Sequence, residues 1–123
     1  MSGFLLDSNC ISEIVRIRPE PRVLAWIGDA DENLLYLSVL TFGEIRKGVA
    51  TLRQGKRRSG LEAWLEVELQ ARFSGRILPI DEPVADRWGL LAATAIHHNL
   101  TVVSRNVNDF APTQVPVVNP WQP

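Results

Sequence analysis

Residues 4–14, Phe4-Leu5-Leu6-Asp7-Ser8-Asn9-Cys10-Ile11-Ser12-Glu13-Ile14, change character within a few positions. Phe4–Leu6 is an apolar run of strand length, Asp7-Ser8-Asn9 is a polar corner, and Ile11, Ile14 and Val15 recur at helical spacing. The same step from strand through corner into helix repeats outward along the chain. Pro19 and Pro21 break the first helix, and Pro21 suits the first turn of a second one that buries Val23, Leu24, Trp26 and Ile27. Leu34–Ser38 is a continuous apolar run, as expected of a strand covered on both faces. Thr41 and Glu44 fit a capping box that opens a helix running to about Leu52, and Ser59 with Glu62 offers a second box before Trp64, Leu65 and Ala71. Arg76–Ile80 reads as a short strand, and Asp81-Glu82-Pro83 primes a helix that can continue to about His98. Leu100–Val103 and Val115–Val118 are the remaining strands. Strands alternating with helices, with no two-residue hairpin turn between them, predict parallel pairing in an α/β sandwich.

A length of 123 residues fits one domain, 1–123. With 46% hydrophobic and 22% charged residues and no low-complexity tract, the chain has the means to build a core. Cys10 is its one cysteine, which excludes an intrachain disulfide framework and any multi-cysteine metal site and suits a reducing cytoplasm. No segment approaches the apolar length of a membrane span, and Asp7 interrupts the start before signal-peptide length, so neither export nor a membrane is expected. At a net charge of −1, any nucleic-acid partner must be held by a local basic patch or through metal ions.

In open parallel sheets, ligands collect beyond the carboxyl ends of the strands. Asp7 follows the first strand, Glu44 lies one turn into the helix after the second, and Asp109 comes shortly after Leu100–Val103. Three carboxylates converging there repel unless a divalent cation lies between them, and hard oxygen ligands suit Mg²⁺ or Mn²⁺. Such a metal activates water and neutralises charge on a phosphodiester. Asn9 and Asn106 are neutral neighbours able to hold a water or a phosphate oxygen. Each acid also has an ordinary reading: Asp7 and Asp109 as corner caps, Glu44 as the second half of its capping box. Ser8, Ser104 and Cys10 become nucleophiles only beside a base, whereas His97 and His98 are helix-end residues favoured by the dipole. The basic run Arg53–Arg58 reads as a solvated turn with RNA contact as its alternative.

Taken together, LLDSNCISEI, YLSVLTFGEIRKGV, GRILPIDEPVA, LLAATAIHHNLTVVSRNVNDF and VVNPW resemble, in order and over nearly the full chain, the PIN-domain ribonucleases of the VapC toxin type. The resemblance implies a three-layer α/β/α sandwich with a short, mostly parallel sheet, a homodimer, and Mg²⁺- or Mn²⁺-dependent cleavage of RNA. It also implies inhibition by a cognate VapB-type antitoxin protein. By matching motif, Asp7, Glu44 and Asp109 are the catalytic, metal-holding acids, and Ser104 and Asn106 are polar supports of that site.

One stretch departs from the pattern. Where the family opens a helix with an acid directly before a motif like Gly89–Ala95, this chain has Trp88, and a helix-length piece of the family is missing. Asp86 lies two residues earlier, about 200° around a helix from Trp88, and would join the metal ligands only if that helix were re-registered. Two functions are therefore carried forward. One is a metal-dependent endoribonuclease toxin. The other is a catalytically impaired PIN-fold binding module that keeps the antitoxin and dimer surfaces.

Overall fold

A computed structural model describes residues 3–80 and 90–122. Five strands, β1 (Phe4–Leu6), β2 (Leu35–Ser38), β3 (Ile77–Leu78), β4 (Thr101–Val103) and β5 (Val117–Val118), form one sheet in the order β3-β2-β1-β4-β5. Every pairing is parallel, with Phe4 opposite Leu35 on one side and Thr101 on the other. The helices are α1 (Ser8–Ile14), α2 (Pro21–Asp29), α3 (Val39–Ala50), α4 (Lys56–Ala63), α5 (Gln70–Arg72), α6 (Leu90–His97) and α7 (Val107–Phe110). A π-helical stretch, Trp64–Leu69, joins α4 to α5 with helical backbone at both junctions.

The strand period of two separates two apolar layers. Leu6, Leu37 and Val103 pack with Ile11, Val23, Phe42, Leu65 and Phe73 on one face. Leu5 and Val102 pack with Ala92, Ala95, Leu100 and Val115 on the other. The expected three-layer α/β/α sandwich is thus the observed fold, with β1 at its centre and Leu5 and Leu6 fully buried.

Both predicted capping boxes are corrected. Helix α3 starts at Val39, directly off β2, because Ser38 ends the strand and caps the helix through a bond from the Leu40 amide to its Oγ (3.1 Å). Thr41 therefore lies inside the first turn, fully buried, and Glu44 is released from the cap. Likewise α4 starts at Lys56, which places Ser59 within the helix, where its amide bonds Gly55 O (3.0 Å). The predicted helix start at Asp81-Glu82-Pro83, together with Asp86 and Trp88, lies outside the described residues.

Two glycines are required by geometry. At Gly3 a Cβ would sit 2.5 Å from Leu34 O, so only glycine admits the approach of the neighbouring chain. Gly75 ends the long helical rod at φ 80°, a conformation that glycine adopts without a Cβ clash. Past it, Arg76 bonds the carbonyls of Glu32, Leu35 and Arg72 and, with Arg72, the Glu32 carboxylate (2.9–3.1 Å), which clamps the entry to β3 against the entry to β2.

Candidate functional site

The site grows from the seam between β1 and β4. The Asp7 amide extends the strand pairing one residue past β1 by donating to Val103 O (2.9 Å). Its side chain then turns back to cap α1, and Oδ1 accepts from the Ser8 amide (2.7 Å). The second oxygen, Oδ2, accepts from Ser104 Oγ (2.8 Å). Asp7 is buried, and both of its oxygens are held in place.

Ser104 is the hub of this arrangement. Its fully buried hydroxyl donates to Asp7 and accepts from Asn9 Nδ2 (3.1 Å) and the Asn106 amide (3.0 Å), which uses its one proton and both lone pairs. Asn9, Ser104 and Asn106, singled out from sequence as polar neighbours, are thus joined to Asp7 in one network.

Glu44 reaches the same corner from α3. The Ser8 hydroxyl lies between Asp7 Oδ1 (3.5 Å) and Glu44 Oε2 (3.4 Å), close to the outer limit for hydrogen bonds. Sequence reasoning treated Ser8 as a conditional nucleophile and missed this bridging place. Glu44 itself is exposed and lines a cavity of about 350 Å³ between α1, α3 and α4, shared with Ser8, Arg16, Arg57 and Trp64. The sequence signal for the basic side of that cavity was the Arg53–Arg58 run.

Asp109 stands in the first turn of α7, also past the carboxyl end of a strand, but its exposed side chain lines a separate cavity of about 440 Å³. All three acids therefore follow the same edge of the sheet, and Asp7 and Glu44 meet through Ser8 while Asp109 stands apart. Among the described residues no group of three or more His, Cys, Asp or Glu side chains is placed to hold a metal. Glu44 and Asp109 line different cavities. Asp7 and Glu44 offer hard oxygen donors of the kind that Mg²⁺ or Mn²⁺ takes, as a partial set.

The remaining candidates separate clearly. Cys10 is buried and donates to Val103 O (3.1 Å); burial, and after it the charge of Asp7, push its thiol far above the ordinary range, so it is no nucleophile. His97 and His98 meet edge to face at the end of α6, which leads into the amino end of β4, the edge opposite the acids.

The PIN domain family matches residues 4–92, the span that carries Asp7 and Glu44. The chain belongs to this family. Toxin FitB of Neisseria gonorrhoeae is 41% identical, covering 95% of this chain and 97% of that relative. The VapC ribonuclease Y4jK of Sinorhizobium fredii is 34% identical, covering 97% and 98%. The crystal structure of FitAcB from Neisseria gonorrhoeae superposes on this PIN domain with a TM-score of 0.91 at 39% identity, over 98% of this chain and 99% of that one. The alignment with FitB runs over 135 positions, more than the 123 residues of this chain, so FitB carries residues within it for which this PIN domain has no counterpart.

Proposed function

We propose that the chain is the ribonuclease toxin of a toxin–antitoxin pair, hydrolysing RNA phosphodiesters with Mg²⁺ or Mn²⁺ in the cytoplasm. The observation that carries this reading is the pair of carboxylates from separate elements, Asp7 and Glu44, drawn to one serine hydroxyl at the carboxyl edge of a PIN sheet. Two relatives aligned over nearly the whole chain support this reading, one named a toxin and the other a VapC ribonuclease. Asp7 and Glu44 would hold the ion, and Asp109, one cavity away, is its third proposed ligand. When bound, the ion supplies a hydroxide-like water and charge neutralisation at phosphorus. The chain's own residues set the rest: Ser104 and the Ser8 amide fix the Asp7 carboxylate, and Ser8 keeps Glu44 turned toward it. The partner proposed for this toxin is a VapB-type antitoxin protein, and its assembly a homodimer.

A second reading is favoured by Trp88, which stands where the family pattern has an acid. In that reading the PIN scaffold binds its antitoxin and cleaves RNA poorly. Mn²⁺-dependent cleavage of a mixed RNA pool by the purified chain, with Asp7→Asn as control, tests both. Cleavage abolished by Asp7→Asn upholds the ribonuclease; equal, absent cleavage by both proteins leaves the binding module.

A further inference from the structure

The cavity that contains Asp109 lies between α7 and the chain that follows β5. Its wall is dominated by carboxamides: Asn106, Asn108, Asn119 and Gln122, beside Arg105 and Asp109. Asn119 is committed to structure, because its Oδ1 accepts from the Trp121 amide (2.9 Å) and its Nδ2 donates to Arg105 O (3.4 Å). That double tie fixes the tail beside α7 and so forms the cavity. The side chains of Asn106, Asn108 and Gln122 make no hydrogen bond among the described residues. Arg105 is steadied at the rim, its guanidinium 5.6 Å from the Trp121 ring centre.

A carboxamide shows a donor and an acceptor side by side, which complements the edge of a nucleobase. Sequence-specific RNA recognition reads such edges on unpaired bases splayed out of the strand. A phosphate is less favoured by this wall, since the carboxamides are neutral and the one cation, Arg105, is matched by the one anion, Asp109.

We propose that this cavity is a base-reading subsite, which takes one unpaired nucleobase of an RNA strand whose backbone lies against Asp7 and Glu44, with Asn108 and Gln122 determining which base. The inference rests on the ribonuclease reading above. Asn106 is a poor probe, because its amide also supports Ser104. Asn108 and Gln122 are exposed and take no part in the hydrogen bonds that hold Asp7.

The test titrates the ¹⁵N-labelled full chain with the four ribonucleoside 5′-monophosphates and with ribose 5-phosphate, without metal. The side-chain NH₂ signals of Asn108 and Gln122 should shift with a subset of the nucleotides and not with ribose 5-phosphate. Asn108→Ala and Gln122→Ala should each weaken the preferred nucleotide about tenfold, the loss expected for one good base contact. In parallel, cleavage of a mixed RNA pool should give fragments with a base preference that either variant flattens. Equal responses to all five ligands, or an unchanged preference in both variants, would overturn the subsite, and cleavage of the pool would stand without it. Discrimination among nucleotides by a chain that cleaves no RNA would uphold the subsite and overturn the ribonuclease.

Discussion

Ser104 donates its proton to Asp7 and receives two others, so its loss leaves a buried Asp7 oxygen and two part-buried donors without this partner. Ser104→Ala should therefore cost ~1–3 kcal/mol in chemical denaturation and also loosen Asp7, which calorimetric titration with Mn²⁺ would register as weaker binding. An unchanged Mn²⁺ isotherm would confine Ser104 to folding. Glu44 behaves in the opposite way. Once Ser38 takes the cap, Glu44 is an exposed second-turn residue, and both Glu44→Gln and Glu44→Ala should stay within ~0.5 kcal/mol of wild type while each weakens Mn²⁺ binding. A thermal melt in which Ala but not Gln lowers the midpoint would reinstate the capping role. The sequence displayed the acids of this corner because ligands collect beyond the carboxyl ends of parallel strands, and three acids fall there together. Ser8 stayed hidden, since a bridging hydroxyl depends on the distance between α1 and α3 and has no pattern of its own.

Elements were legible where one periodicity ruled. Phe4–Leu6 and Thr101–Val103 have apolar β-forming residues with polar corners directly behind them, and both strands fall within a residue of expectation. Helix starts were not legible where two residues compete for the cap. Ser38 prevails over Thr41 because a helix begun directly off β2 satisfies its first amides without a loop, and Ser38→Ala should cost ~1 kcal/mol by denaturant titration. The ion-pair clamp at the β3 entry has a pH signature. Hydrogen bonding from Arg72, reinforced by Arg76 and opposed by burial, holds the Glu32 carboxyl below the usual carboxylate range. A folded-state value below the unfolded one means that the contribution is present above the unfolded value, near pH 4.5, and is lost as pH falls through the folded value. Melting temperature should thus fall more steeply below about pH 4.5 in wild type than in Glu32→Gln, and the two curves should converge in acid. Parallel curves would show that the clamp adds nothing by charge. Solvent exposure of Glu32 keeps the expected difference small.

At the scale of the whole molecule, one sheet keeps two apolar layers apart. Leu69 belongs to one layer and Leu100 to the other, so each Leu→Ala change should cost ~2–5 kcal/mol and the double variant should match the sum within ~0.5 kcal/mol. Marked non-additivity would mean that the layers communicate through the sheet. The order β3-β2-β1-β4-β5 could not be read from the chain, because strand alternation predicts parallel pairing without naming neighbours. Cys10 gives this sheet a chemical stopwatch. Only a thiolate attacks a disulfide reagent, and this sulfur is sealed, protonated and bonded from α1 to Val103 O at the end of β4. The native protein should stay silent toward such a reagent for as long as α1 stays seated, and each labelled molecule then marks one departure of α1 from the end of β4, where Asp7 and Ser104 meet.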